Sequence, residues 1–296
     1  MKKLMMMAAV CCMVLTACEK PIASEDEAVG EPTGTVATKK FTFTVKGAFS
    51  ISAFDDVTTR GTLTDNEENM TDLWVFDYMD GKLVQQLHQL PTDDDWGKPV
   101  LTLAHGAHHV YFVASRGDDA TVTTTSHKIT WGTPRDAFWK DYEVNVTSTS
   151  NGNRSVTLDR VATRFRVTVT DEVPANVAAV TVTPETWYYG LDYLYGIGVD
   201  PSTNKVKTVN VPSSYIGTTG TLTLNIYGLS SSTEWMTDVT VTSKDGDGNV
   251  IGTVTLEDVP FKQNRSTDYS GPLFGSTNSA EISLNSDWSD DYTGTW

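Results

Sequence analysis

The feature that most constrains the fold is an alternation of apolar and polar residues, in short runs that recur from Phe41 to the end of the chain. In the first run, Phe41, Phe43 and Val45 alternate with Thr42 and Thr44. A period of two is typical of a β-strand with one buried face, because successive side chains of a strand point to opposite sides. Further runs of this kind lie at 110–114, 165–169, 180–182, 222–226, 239–241, 250–256 and 282–284.

Turn signals separate these runs. The segment 73–76 is apolar on both faces, and Asp80-Gly81 follows it as a hairpin turn. One segment, 134–142, carries helix signals, because Thr133 offers an N-cap and Pro134 would occupy the first helical position. Many short strands divided by Gly, Asn, Asp and Ser predict an all-β fold of two tandem antiparallel sandwiches with one short helix.

The N-terminal segment has the pattern of a bacterial lipoprotein signal. Lys2 and Lys3 precede an uncharged apolar run at 4–17, which is too short to span a membrane and has the length of a signal peptide. Leu15-Thr16-Ala17-Cys18 has the form of a cleavage and lipidation box. We therefore expect residues 1–17 to be a signal peptide and Cys18 to carry a lipid that tethers the chain to a membrane from outside.

A polar segment and a polar stretch further along suggest the domain organisation. Residues 18–38 are rich in Pro, Gly, Glu, Asp, Ala and Thr, which predicts a flexible acidic tether. The stretch 148–154 is again polar, and strand signals resume after it. The sequence therefore predicts an N-terminal β-sandwich domain at 39–154 and a C-terminal one at 155–296.

Composition excludes several function classes. The chain has 38 acidic and 22 basic residues and a formal net charge of -16, which disfavours nucleic acid as a partner because phosphate binding needs clustered Lys and Arg. Its three cysteines, Cys11, Cys12 and Cys18, all lie in the signal or at the lipidation position. The folded part therefore has neither disulfides nor thiol chemistry.

Motifs for catalysis or metal binding are weak. His105, His108 and His109 are close in sequence, but neighbours 108 and 109 of a strand point to opposite faces, so we expect polar residues at a strand entrance. The acidic loop at 245–249 lacks the Gly and Glu of a calcium loop and fits a hairpin turn. The sequence contains no nucleophile-elbow, zinc-protease or phosphate-loop motif. Its 38 acidic residues leave open a pair of carboxylates for glycoside hydrolysis, although no pair stands out. We predict a protein that is not an enzyme and has no cofactor and no metal.

Two further features allow alternatives. Trp187, Tyr189 and Tyr193 belong to the densest aromatic cluster and fit either a sheet core or an exposed surface that stacks on glycans. Arg60 and Gly61 lie in a polar stretch between strand signals, which fits either a solvated loop or a protease cleavage point.

The order of these features resembles the fimbrillin superfamily of type V pili, of the Bacteroidetes type. The resemblance rests on the lipidation box, the acidic tether, the Thr-Arg-Gly stretch at 59–61 and four later segments. These are Asp72-Leu73-Trp74-Val75-Phe76-Asp77-Tyr78 with Asp80-Gly81-Lys82-Leu83-Val84, Arg160-Val161-Ala162-Thr163-Arg164-Phe165-Arg166-Val167, Asn264-Arg265-Ser266-Thr267 leading to Gly271, and Ile282-Ser283-Leu284 running to Trp288.

The resemblance implies two transthyretin-like sandwiches and assembly by strand exchange. It also implies that a lipidated precursor reaches the outer membrane, at the cell surface. An Arg-specific protease would cut at Arg60-Gly61, and the strand of Phe41, Phe43 and Val45 would be displaced. A strand from another fimbrial subunit would then fill the groove, with Ile282 and Leu284 as the candidate donor residues. Because this chain is short for a shaft protein, the resemblance leaves shaft, tip and anchor subunits open. A surface lipoprotein that binds glycans or host ligands without polymerising is the alternative.

Overall fold

Short strands with one apolar face fill most of the described chain. The computed structural model describes residues 36–47, 70–116, 120–132, 136–203, 207–230, 234–275, 283–284 and 292–295, all within one unit, Val36–Trp296. In chain order the strands are β1 (Thr38–Gly47), β2 (Asp72–Met79), β3 (Lys82–Gln89), β4 (Val100–Ala104), β5 (Gly106–Ser115), β6 (Thr121–Thr123), β7 (Lys128–Thr130), β8 (Ala137–Val146), β9 (Asn153–Arg160), β10 (Ala162–Val169), β11 (Val177–Pro184), β12 (Trp187–Asp192), β13 (Ile197–Ser202), β14 (Lys207–Asn210), β15 (Leu222–Leu229), β16 (Trp235–Asp245), β17 (Val250–Phe261), β18 (Ser266–Gly271), β19 (Ser283–Leu284) and β20 (Tyr292–Thr295).

The first sheet has seven strands, in the order β3-β2-β5-β8-β9-β1-β4. β8 and β9 share only the pairs Phe138↔Arg160 and Trp139↔Asp159, so the sheet consists of two parts, β3-β2-β5-β8 and β9-β1-β4. Side chains from both parts meet in one core, where Phe43 of β1 lies against Phe112 of β5. The alternating residues of these strands therefore form the two inner faces of a sandwich.

A second pair of sheets follows. A nine-stranded sheet has the order β19-β20-β18-β10-β15-β12-β7-β6, with β13 also paired to β12, and a four-stranded sheet has the order β14-β11-β16-β17. Their shared core contains Phe165 of β10, Val180 of β11 and Phe261 of β17. A third apolar cluster joins the outer face of β2 and β5 to β7 and β12, and in it Phe76 stacks on Tyr193 with ring centroids 4.1 Å apart.

The predicted all-β fold is confirmed, and the predicted turn between β2 and β3 is present. Asp80 and Gly81 have φ values of 52° and 72°, as a two-residue turn with positive φ at both central positions requires. The helix predicted at 134–142 is wrong, because Ala137–Val146 is strand β8 and pairs with β5 along its whole length. Within the described residues, the helical segments are the 3-10 turns Thr124–Ser126 and Ser213–Tyr215. These same residues contain no helix with the length and hydropathy of a membrane span.

The predicted domain boundary falls at an unbroken strand. The polar stretch that suggested it lies at the turn between β8 and β9, and β9 continues across residues 154 and 155. β6 and β7, which come before this point, pair with each other and with β12 of the second sheet. A division at 39–154 and 155–296 stays a prediction.

Candidate functional site

The first strand of the described chain lies inside a sheet and not at its edge. β1 pairs with β4 in antiparallel direction, from Thr38↔Ala104 to Thr42↔Val100. It pairs with β9 in parallel direction, from Thr42↔Asn153 to Gly47↔Leu158. Because β4 is the last strand of this sheet, β1 is its neighbour there and the link between β4 and the remaining strands.

The predicted apolar residues of β1 all point into the core. Phe41 and Phe43 are 0% exposed and Val45 is 1% exposed. The ring of Phe43 makes edge contacts with Phe112 and Tyr142, at centroid distances of 5.2 and 5.6 Å. Such contacts add to the free energy gained from burying the ring, so β1 contributes a large share of this core.

Backbone groups beyond the two ladders also hold β1. The Phe43 amide donates to the Pro99 carbonyl oxygen at 3.0 Å, and the Val45 amide donates to the Gly97 carbonyl oxygen at 2.9 Å. On the other side, the Thr42 amide donates to the Gly152 carbonyl oxygen at 2.7 Å. β1 therefore has main-chain partners along both of its edges.

The turn before β9 is shaped to fit β1. A Cβ atom on Gly152 would lie 2.4 Å from the carbonyl oxygen of Lys40, so only glycine permits this close approach. The guanidinium carbon of Arg154 lies 5.2 Å from the centroid of the Phe41 ring, within cation–π distance. Neither role can be predicted from local patterns, since both depend on a pairing between residues more than 100 positions apart.

Loss of β1 would leave a groove with defined chemistry. β4 and β9 would each present an unpaired row of amide and carbonyl groups, and the three apolar side chains of β1 would leave pockets on one side of the groove. An extended segment with three alternate apolar residues satisfies both features, because main-chain hydrogen bonds supply affinity and the pockets supply specificity. The geometry of β1 is thus suited to strand exchange.

The candidate donor segment lies at the opposite end of the chain. Leu284 lies in β19, where it pairs with Gly294 of β20, and β20 pairs in parallel direction with β18. Ile282 lies outside the described residues, as do Cys18, Arg60 and Gly61. The roles assigned to these four residues and to Leu284 stay predictions.

A carboxylate that sequence analysis missed fixes the start of this terminal segment. Asp171, just after β10, accepts hydrogen bonds from the backbone amides of Leu273, Phe274 and Gly275 at 3.0, 2.6 and 3.0 Å. The side chain of Leu273 is buried in the second core. Asp171 therefore fixes the backbone at 273–275.

The proposed aromatic binding surface is wrong. Trp187, Tyr189 and Tyr193 are all buried, the first two in the core of the second pair of sheets and Tyr193 in the third cluster. The Trp187 indole donates to the Tyr227 carbonyl oxygen at 3.0 Å, and burial raises the pKa of Tyr189 to about 12. Aromatic residues are dense here because they fill two apolar layers, so their faces are not available to a sugar.

The three histidines do not come together in one site. Neighbours 108 and 109 lie on opposite faces of the strand, as their positions predicted. His108 is buried, with Nδ1 2.7 Å from the Asp77 carboxylate and Nε2 3.1 Å from the Ala104 carbonyl oxygen, whereas His105 and His109 are exposed. The Ala104 carbonyl oxygen accepts from Nε2, while Nδ1 faces the Asp77 carboxylate. Burial raises the pKa of Asp77, and the His108 hydrogen bond lowers it in part.

The acidic loop at 245–249 is the turn of the β16–β17 hairpin. Oδ1 of Asp245 accepts hydrogen bonds from the backbone amides of Asp247 and Asn249 at 3.0 and 2.8 Å. Oδ2 accepts one from the Asn249 side chain at 3.0 Å. These bonds lower the pKa of Asp245 and satisfy the carboxylate within the turn, as the hairpin interpretation predicts.

Comparison with known families places the second part of the chain. The sequence model of a family of unknown function, DUF6562, matches residues 117–296, which is more than half of the chain. The chain belongs to this family. The matched region begins before β6 and contains both sheets of the second sandwich, while β1 to β5 precede it. The comparison with curated proteins gave no match.

Solved structures similar to this chain include an adhesin and two fimbrial proteins. A candidate adhesin from Bacteroides ovatus is 10% identical with a TM-score of 0.49, and the match covers 73% of this chain and 76% of that chain. The tip fimbrial protein Mfa3 of Porphyromonas gingivalis, with a C-terminal truncation, is 12% identical with a TM-score of 0.37, covering 74% and 82%. The fimbrial anchor protein Mfa2 of the same organism is 11% identical with a TM-score of 0.38, covering 75% and 83%. These similar structures include two fimbrial proteins.

Proposed function

We propose that this chain is a structural subunit of a cell-surface fimbria, in a tip, shaft or anchor position, that joins its neighbours by β-strand donation. One observation supports this function above all: the N-terminal strand β1 is held between β4 and β9 and fills the core with Phe41, Phe43 and Val45. A strand from the start of the chain that fills the middle of a core can be replaced in full by a strand from another molecule.

The lipidation box and the family resemblance supply the rest of the proposal. The lipid on Cys18 delivers the chain to the outer surface of the outer membrane, and an Arg-specific protease cuts between Arg60 and Gly61. β1 then leaves, and Ile282 and Leu284 of another subunit enter its place. The role is structural and not enzymatic, and its partners are other fimbrial subunits and the membrane. The proposal rests on β1 and on the sequence resemblance rather than on the distant structural matches.

Incubation of the full chain with an Arg-specific protease tests the proposal. We expect a trimmed product that begins at Gly61, release of the fragment containing β1, and ladders of oligomers on an unheated gel. Ladders resist dissociation in this account because the donated strand becomes part of the acceptor's core.

Two variants serve as controls. Arg60→Lys keeps the charge but removes the cleavage site, so neither trimming nor ladders should form. A double variant, Ile282→Asp with Leu284→Asp, should be trimmed normally but remain monomeric, because charged side chains cannot enter apolar pockets without a large desolvation cost. A trimmed wild-type protein that stays monomeric with its first strand still bound contradicts assembly by strand exchange.

A further inference from the structure

A cluster of polar side chains lies on the first sheet, on the face opposite the core that β1 fills. His109 of β5 and Asp141 and Glu143 of β8 each offer one potential ligand atom, and these atoms all lie within 4.8 Å of one another. The cluster is independent of β1 and plays no part in the proposed strand exchange. Among the described residues, this is the one group with three such donors.

Strand pairing holds these three residues in place. β5 and β8 pair in register over ten residues, and within this ladder His109 lies directly opposite Glu143 while Tyr111 lies opposite Asp141. Asp141 and Glu143 are two positions apart on one strand and therefore face the same side of the sheet. The donors are thus positioned by the backbone of two packed strands and not by a loop.

The charges of the cluster are not balanced. Nδ1 of His109 lies 3.0 and 3.2 Å from the two carboxylate oxygens of Asp141, which pairs these two residues. Within the described part of the chain, no hydrogen bond or ion pair engages the Glu143 carboxylate. The site is therefore short of positive charge.

The donor types indicate which cation would supply that charge. One imidazole nitrogen and two carboxylate oxygens form the mixed set that Zn²⁺ and similar transition metals accept, whereas Ca²⁺ and Mg²⁺ prefer oxygen ligands alone. His109 and Glu143 are exposed and Asp141 is partly buried, so water can complete the coordination. We propose that His109, Asp141 and Glu143 bind a divalent transition-metal ion.

Calorimetric titration of the full chain with Zn²⁺ tests the site, and Co²⁺ absorption spectra provide a second readout of the ligand field. We expect one equivalent of Zn²⁺ to bind, and Ca²⁺ not to compete. His109→Ala and Glu143→Gln should each weaken Zn²⁺ binding at least about tenfold, since loss even of groups that only support a ligand costs that much. His105→Ala, which removes an exposed histidine outside the cluster, is the matched control and should bind as the wild type does.

Glu143→Gln separates metal binding from folding. This change leaves the His109–Asp141 pair in place, so its thermal unfolding midpoint in the presence of a chelator should match that of the wild type. Failure of the wild type to bind Zn²⁺, or unchanged binding by the His109 or Glu143 variant, overturns the proposal. Neither result bears on strand exchange, which the protease experiment tests separately.

Discussion

Replacement of Phe43 by alanine probes how tightly β1 is held. The ring is fully buried and contacts Phe112 and Tyr142 edge to face. Large-to-small changes of a buried Phe cost about 3–5 kcal/mol. In the protein cut after Arg60, no covalent bond joins β1 to the rest of the chain. The lost packing energy therefore lowers the free energy that keeps β1 bound. At about 1.4 kcal/mol per tenfold change, the equilibrium for β1 release should shift by roughly 10²- to 4 × 10³-fold.

The assay measures the fraction of β1 fragment released after Arg-specific cleavage, by size-exclusion chromatography with mass spectrometry of both fractions. Phe165→Ala is the matched control, because Phe165 is equally buried but lies in the core of the second sandwich. Both variants should unfold at lower denaturant concentration than the wild type. Only Phe43→Ala should release β1 faster and form ladders sooner. Equal release from the two variants would refute the reasoning that the β1 core controls exchange.

Three further changes test other contacts. Asp171→Ala should cost about 1–3 kcal/mol, because it leaves three amides without their acceptor, and should speed hydrogen exchange at 273–275; unchanged exchange there contradicts the assignment. Asp136→Ala breaks a buried bidentate pair with Arg160, whose bonds are 2.9 and 3.0 Å long. It should lower the free energy of unfolding by about 3–5 kcal/mol in chemical denaturation. A double variant that replaces both Asp136 and Arg160 should lose less stability than this single variant. Tyr189 has a folded pKa raised to about 12 from 10.0, so its contribution to stability is complete below pH 10 and is lost as the pH rises towards 12; Tyr189→Phe should flatten this part of the stability profile.

Local sequence patterns predicted much of the sheet structure. The alternation at 41–45 predicted both the strand and its buried face, because the period of two belongs to the strand itself. Asp80-Gly81 predicted the β2–β3 hairpin, since a turn of this type needs residues that tolerate positive φ. Features of this kind depend on a few adjacent residues and can be found without knowledge of strand order.

The helix prediction failed where local signals met a long-range pairing. Thr133 and Pro134 resemble a helix start, but Phe138, Tyr142 and Val146 face the core of the first sandwich with strand periodicity. Ten residue pairs with β5 stabilise the extended form of this segment. Tertiary pairing therefore outweighed the capping signals, which contribute only about 1 kcal/mol each.

The cluster on β5 and β8 could not be predicted for the same reason. His109 and Asp141 are 32 positions apart, and only the register of two strands brings them together. Sequence analysis correctly separated His108 from His109 by their opposite faces. No local pattern shows which strand lies beside His109, so the carboxylate partners of His109 were missed. The aromatic cluster shows the converse: its density reflected core packing and not an exposed surface.

N-terminal sequencing of the chain isolated from the surface of the cells that make it tests the central claim most directly. If β1 gives way to a strand from another subunit, the surface protein begins at Gly61 and runs as oligomers when unheated. A surface protein that begins at a lipid-bearing Cys18 in every molecule, and is monomeric, would contradict the account.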